Sequence, residues 1–249
     1  MILSEKELER YRRHLIMDSI GPQGQQKIAE ARVLIIGVGG LGCPAALYLN
    51  AVGVGYLGIV DSDVVVESNL HRQVLFGPQD VGVPKVEAAR KKLQSLNPGV
   101  TINSMDIRVS DKNIAELIRG YDVVLTAVDN FCTRFMVNDA CTSCGVPFVE
   151  GGVREWQGRV LTVIPGKGPC LRCLFPSAPE NPPGEREPGV FGVLPGIIGT
   201  LQALEVIKVI LKKGSPWEGR MLTFDGLSGR FHEMTLSRRE DCPVCSVVS

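Results

Sequence analysis

The sequence predicts an α/β fold, a doubly wound and mainly parallel sheet with an antiparallel C-terminal extension. Three observations predict it. Short apolar runs rich in Val, Leu and Ile occur at residues 33–36, 56–60 and 122–127. Unbroken runs of that length suit strands buried on both faces. Helical segments separate them, which is the β–α alternation of parallel crossovers. The first run leads directly into G-V-G-G-L-G, residues 37–42, a strand–glycine turn–helix junction.

The N-terminal elements follow from local signals. Ser4 and Glu7 in S-E-K-E form a capping box, so a helix begins at Glu5. Leu8, Tyr11 and Leu15 recur at helical spacing and are expected to face a core or a partner. Gly21-Pro22 ends this segment, and residues 23–31 read as a second short helix. Residues 33–36 form the first strand and 43–51 a helix after the glycines. Residues 56–60 form the second strand, which ends at Asp61.

Pro84 precedes a helix over 85–96, because proline suits the first helical turn. Residues 100–104 read as a strand, 111–119 as a helix and 122–127 as an apolar strand. Asp129-Asn130 then lies just past a strand's C-terminal end, where open α/β sheets bind nucleotides. Residues 131–144 form a helix and 147–150 a strand. In the second half, 157–164 is a strand and 176–188 a loop rich in Pro, Glu and Gly. A long apolar helix spans 194–213, and 221–225 with 230–236 forms a hairpin.

Composition narrows the function. Lys plus Arg and Asp plus Glu number 27 each, so the net charge is zero and a general nucleic-acid binder is not expected. Residues 1–13 are too charged for a signal peptide. Gly, Pro or Lys breaks the longest apolar runs, so no membrane span is expected. Eight cysteines without a secretion signal point to a reducing, cytoplasmic compartment, with thiols used for metal or chemistry.

The glycine turn carries the first chemistry. Gly37, Gly39 and Gly42 satisfy G-x-G-x-x-G, with Gly40 inside it. Without Cβ atoms the backbone N–H groups can approach a phosphate, and the following helix N-terminus adds partial positive charge. Asp61 lies 19 residues past Gly42, the offset of a carboxylate that accepts from ribose hydroxyls. These features define a Rossmann-like nucleotide site without saying which nucleotide.

Two C-x-x-C pairs, Cys170/Cys173 and Cys242/Cys245, carry the second. Both have short turns that let two thiolates grip one Zn²⁺ tetrahedrally. Four thiolates leave no open position, so such a zinc is structural and pins the C-terminal tail. A third pair, Cys141/Cys144, sits near a helix C-terminus, where the dipole disfavours thiolates. These two, with Cys43 and Cys132, are expected to be buried packing residues.

Taken in order, the motifs spell more than a nucleotide fold. They are G-V-G-G-L-G, D-S-D at 61–63, S-N-L-H-R-Q at 68–73, G-V-P-K at 82–85 and D-N-F-x-x-R at 129–134. Two C-x-x-C pairs and G-x-L-Q-A-L-E-V-I-K at 199–208 complete the set. The ordered set spans residues 8–245 and resembles the MoeB/ThiF/HesA enzymes, relatives of ubiquitin-activating enzymes. That resemblance implies adenylation of the C-terminal Gly-Gly carboxylate of a ubiquitin-like sulfur-carrier protein, consuming ATP with Mg²⁺ and releasing pyrophosphate. It implies that Asp61 binds ribose and that Gly40 approaches the phosphates. Asn69, Arg72 and Lys85 hold phosphates, with Gln73 beside them, and Asp129 binds Mg²⁺. Asp63, Ser68, Leu70, His71 and Asn130 complete the nucleotide's surroundings. Arg13, in R-Y-R-R-H-L, matches an arginine that reaches the neighbouring subunit's site, which requires a homodimer.

The implied organisation is a single adenylation domain over 1–249. Residues 1–31 form N-terminal helices, 32–150 the nucleotide-binding core, and 151–249 the carrier-binding, zinc-bearing half. One departure stands out. Some relatives carry a loop cysteine for thioester or persulfide chemistry, whereas residues 182–190 read P-P-G-E-R-E-P-G-V with Glu185 in that place. Adenylation without covalent transfer from this loop is therefore expected, and a thiamine-type role is disfavoured. An NAD-dependent oxidoreductase uses the glycine turn and Asp61 equally well, but leaves Arg13, Arg72, Lys85 and Asp129 without a task. A non-catalytic carrier-binding scaffold leaves the whole charged set without one.

Overall fold

The computed structural model describes residues 3–177, 189–214, 216 and 218–246. Its helices are α1 (Glu5–Arg10), α2 (Arg12–Leu15), α3 (Gly21–Glu30), α4 (Gly42–Ala51), α5 (Lys85–Leu96), α6 (Ile114–Ile118), α7 (Phe131–Cys144), α8 (Leu171–Leu174) and α9 (Val193–Leu211). Its strands are β1 (Arg32–Ile36), β2 (Tyr56–Asp61), β3 (Thr101–Asp106), β4 (Val123–Thr126), β5 (Phe148–Arg154), β6 (Gln157–Val163), β7 (Arg220–Asp225) and β8 (Arg230–Thr235). All eight join one sheet in the order β3-β2-β1-β4-β5-β6-β7-β8. β1 to β5 pair in parallel, and β6, β7 and β8 continue antiparallel. This is the expected doubly wound sheet with its antiparallel extension.

Alternation along each strand divides the core in two. Val33 and Ile35 of β1 face α3, α4, α5 and α9 with Leu57, Ile59 and Val149. Leu34 and Ile36 face α6, α7 and α8 with Val124, Phe148 and Leu161. The four β1 residues from Val33 to Ile36 are at most 1% exposed, and each such burial stabilises the fold by about 1.5–3 kcal/mol. A strand buried on both faces reads as continuous apolar sequence, which is why this run stood out.

Several local readings are corrected. Gly21 and Pro22 open α3 rather than ending the segment before it, with Pro22 in the first turn where its missing N–H costs nothing. Of the N-terminal stripe, Tyr11 is buried within the chain, whereas Leu8 of α1 is exposed and Leu15 half-buried. β5 continues past Glu150 through Gly151 and Gly152 to Arg154. A Cβ on Gly151 would overlap the Gln202 side chain, and one on Gly152 would meet Arg134 at 3.1 Å and Arg159 at 3.2 Å. Both glycines pair with β6, and the neighbouring side chains leave no room for a Cβ there. Cys43 and Cys141 are buried as expected, whereas Cys132 and Cys144 are exposed. By length and composition α9 could cross a membrane, contrary to expectation, yet Ile198, Ala203, Val206 and Leu211 pack into the core. Most of the expected loop over 176–188, including Glu185, lies outside the described residues.

Candidate active site

The glycine turn sits at the carboxyl end of β1, between β2 and β4. Gly37 adopts φ 94°, and a Cβ there would come 2.7 Å from the Ala127 carbonyl oxygen. A Cβ on Gly42 would overlap the Gly37 carbonyl oxygen, so the start of α4 can approach the turn only without one. Gly40 gives Pro195 of α9 its seat, at 3.0 Å from the position of a Cβ. Gly39 differs from all three. The nearest atom to its Cβ position is Gln73 Nε2 at 3.8 Å. The fold does not need a glycine there, so the open space above its backbone is free for a ligand.

Asp61 closes the turn. Its Oδ2 accepts from the Val38 N–H at 2.7 Å and its Oδ1 from the Asp63 N–H at 2.9 Å. Each carboxylate oxygen keeps a second lone pair for a ribose hydroxyl. Cationic groups stand beside it. Lys85 opens α5, is 5% exposed, and its Nζ donates to Asp63 Oδ2 at 2.7 Å. Arg72 spreads its guanidinium over the 68–71 turn. Its Nη2 donates to Asn69 Oδ1 at 2.8 Å and its Nη1 to the Ser68 carbonyl at 3.1 Å, with His71 Nε2 2.8 Å away. Leu70 packs against the core and holds this turn in place. Gln73 is 3% exposed, and its Oε1 has no hydrogen-bond partner among the described residues. The Gln73 atom nearest the open space over Gly39 is Nε2, a donor suited to an anionic ligand.

Asp129 and Asn130 follow β4 on the other side of the turn. Asn130 caps α7 by accepting from the Thr133 N–H at 2.9 Å. Asp129 is exposed and accepts from the Asn130 amide at 3.5 Å. An exposed carboxylate of this kind suits Mg²⁺, which takes few protein ligands and keeps several waters. The glycine turn, Asp61, Asp63, Asn69, Arg72, Gln73, Lys85 and Asp129 therefore gather at the strands' carboxyl ends. Arg13 does not join them. It stands exposed on α2, and no hydrogen bond or ion pair among the described residues ties it to this group.

The four cysteines of the two pairs do come together. Their sulfurs lie within 4.8 Å of one another, with Cys170 to Cys242 at 3.7 Å and Cys173 to Cys245 at 3.3 Å. Zn–S bonds of about 2.3 Å in a tetrahedron place sulfurs about 3.8 Å apart, so the residues fit Zn²⁺. Burial pushes the Cys170 thiol up. At Cys242 burial also acts upward, but the Cys245 and Val244 N–H groups and neighbouring thiols reverse it, to about 7. Asn138 and Asp139 of α7 brace this knuckle. Asn138 accepts from the Leu171 N–H at 2.7 Å, and Arg172 donates to Asp139 at 2.7 Å.

One polar cluster was not anticipated. Arg134 of α7 and Arg159 of β6 both reach Glu150 of β5, which is 1% exposed. Arg134 also donates to the Gly151 and Val128 carbonyls. Burial and the neighbouring Arg159 charge push the Arg134 guanidinium below its ordinary value, while Asp129 pulls it upward. The only sequence signals were the final arginine of D-N-F-x-x-R and the paired glycines after Glu150.

Fold and site together define an α/β nucleotide-binding-type protein with a four-cysteine cluster. More narrowly, residues 11–244 match the ThiF family, and the chain belongs to it. It is 46% identical to the SAMP-activating enzyme E1 of Haloferax volcanii over 98% of this chain and 90% of that one. It is 45% identical to a sulfur carrier protein adenylyltransferase of Thermus thermophilus, over 97% of this chain and 92% of that one. Among solved structures, a crystal structure of E. coli MccB with succinimide superposes with a TM-score of 0.86 at 25% identity, covering 98% of this chain and 74% of that one.

Proposed function

We propose that this protein adenylates the C-terminal Gly-Gly carboxylate of a ubiquitin-like sulfur-carrier protein. The observation that carries the reading is the convergence of Arg72, Lys85 and Asp129 on a glycine turn whose Gly39 leaves open space. Two cations and a metal-type carboxylate suit a triphosphate, whereas a nicotinamide cofactor needs neither a metal nor Lys85. The names of the Haloferax and Thermus relatives support the same chemistry.

In this reading Asp61 takes the ribose hydroxyls, and the Gly39–Gly40 backbone lies along the phosphates. Asn69 and Arg72 grip the terminal phosphates, and Lys85 faces the α-phosphate. A tail carboxylate oxygen attacks the α-phosphorus, an O–P bond forms, the α–β bridging bond breaks, and pyrophosphate leaves. The protein's work is charge neutralisation and alignment. A buried cation at about 4 Å contributes about 4 kcal/mol at an effective dielectric near 20, so Lys85 matters more than a surface lysine. Asp129 would hold Mg²⁺, which would supply further charge neutralisation for the leaving pyrophosphate.

The protein works as a cytoplasmic homodimer in which Arg13 completes the partner's site. Its exposure in the single chain leaves it available for that. Residues 1–249 act as one adenylation domain, and the cysteine tetrad holds a structural Zn²⁺. ATP–pyrophosphate exchange tests the activity. Exchange that depends on a Gly-Gly carrier is expected, and none with folded, zinc-loaded protein would count against the reading.

A further inference from the structure

The proposed site handles the nucleotide but leaves the entering carboxylate without a partner. The Arg134–Glu150–Arg159 cluster carries an imbalance that bears on this. Two guanidiniums share one buried carboxylate, and Asp129 is the further negative charge acting on Arg134. Arg134 makes three hydrogen bonds, to Glu150, the Gly151 carbonyl and the Val128 carbonyl. The one contact of Arg159 to Glu150 is long, at 3.5 Å, and its buried Nε has no hydrogen-bond partner among the described residues. Leaving a buried charged donor unmatched is costly, and such groups are normally paired. The side chain remains 25% exposed, so an anion can reach the outer Nη groups of the guanidinium, though not the buried Nε.

The surroundings define where that partner sits. Phe131 and Phe175 flank the guanidinium, with ring centres 5.9 and 5.3 Å from it. These rings exclude water and strengthen any charge-assisted bond made there. Phe131 is two residues from Asp129, so the cluster opens beside the carboxylate proposed to hold the metal. Gly152 leaves the space in which both guanidiniums lie.

We propose that Arg159 anchors the terminal carboxylate of the incoming carrier tail. Sheet order favours the peptide over the nucleotide as the source of the anion. The glycine turn and Asp61 lie at β1 and β2, whereas Arg159 lies on β6, two strands beyond β4. At about 4.8 Å per strand that is about 10 Å past Asp129's strand, on the side away from Asp61 and Lys85. The inference rests on the proposed adenylation.

The test separates a carboxylate anchor from a structural arginine. A Gly-Gly-ended carrier from the same genome is prepared with a free C-terminus and as the terminal carboxamide. Calorimetry with a non-hydrolysable ATP analogue present then measures the affinity of wild type and R159Q for both. The wild type is expected to prefer the free acid tenfold or more. R159Q should bind acid and amide alike, with nucleotide affinity unchanged, and R159K should recover part of the preference. Arg134 still pairs with Glu150 in R159Q, and comparing two ligands on one variant cancels any general loss of stability. Equal discrimination in wild type and R159Q would overturn the proposal and leave Arg159 as a counter-charge for Glu150. A loss of nucleotide affinity instead would assign Arg159 to the phosphates, also overturning it. Failure of the adenylation reading looks different, since wild type would then bind neither form of the carrier.

Discussion

Gly39→Ala separates ligand space from folding need. Gly39 lies outside the positive-φ region, and a Cβ there meets nothing nearer than 3.8 Å. Alanine at such a position stabilises by about 0.4–1 kcal/mol through the unfolded chain, so Tm should stay level or rise by about 1–3 °C. The same Cβ stands over the backbone proposed to meet the phosphates. Losing one N–H bond to a charged group costs about 1.5–3 kcal/mol, so ATP affinity should fall roughly 10- to 150-fold. Gly42→Ala is the contrast, because its Cβ overlaps the Gly37 carbonyl oxygen. Overpacking of that kind costs about 1–3 kcal/mol, a Tm loss of about 2–12 °C. Thermal melting and calorimetric ATP titration read both quantities. Normal ATP affinity in Gly39→Ala, or a melt as low as that of Gly42→Ala, would refute the reasoning.

Three further outcomes follow from the site. Lys85→Ala should reduce carrier-dependent exchange by about 100-fold or more. It should cost little stability, because the Asp63 it leaves behind is exposed and can be solvated; a collapsed melting curve would mark Lys85 as structural. Cys245→Ser, or exhaustive chelation, should release one zinc per chain, measured by a chromogenic chelator, and lower Tm by about 10 °C. Metal-free protein with an unchanged Tm would remove the structural role. Arg13→Ala and Asp129→Ala should each be inactive, yet mixed dimers should regain part of the exchange activity. No recovery in verified mixed dimers would place Arg13 outside the partner's site.

Much of the fold was legible because its signals are local. Lys85–Leu96 and Phe131–Cys144 match their expected bounds, and Pro84 announces where the first of them begins. The glycine turn and Asp61 were legible for the same reason, lying in one β–α–β stretch. Boundaries failed where distant contacts decide. β5 runs on through Gly151 and Gly152 by pairing with Val160 and Arg159 of β6, while Gln202, Arg134 and Arg159 occupy the space beside them. Those side chains come from α9, α7 and β6, and no periodicity near residue 151 records them. The Arg134–Glu150–Arg159 cluster stayed hidden likewise, since three separate elements build it. The cysteine tetrad joins distant segments too, but its spacing rule is strong enough to be read without the fold.

The most direct test of the central claim is the intact mass of a Gly-Gly carrier after incubation with this protein, ATP and Mg²⁺. The predicted result is a carrier heavier by one adenylyl group, seen with the free C-terminus and absent with the terminal carboxamide. An unmodified carrier under conditions where the protein is folded, zinc-loaded and binds ATP would contradict it.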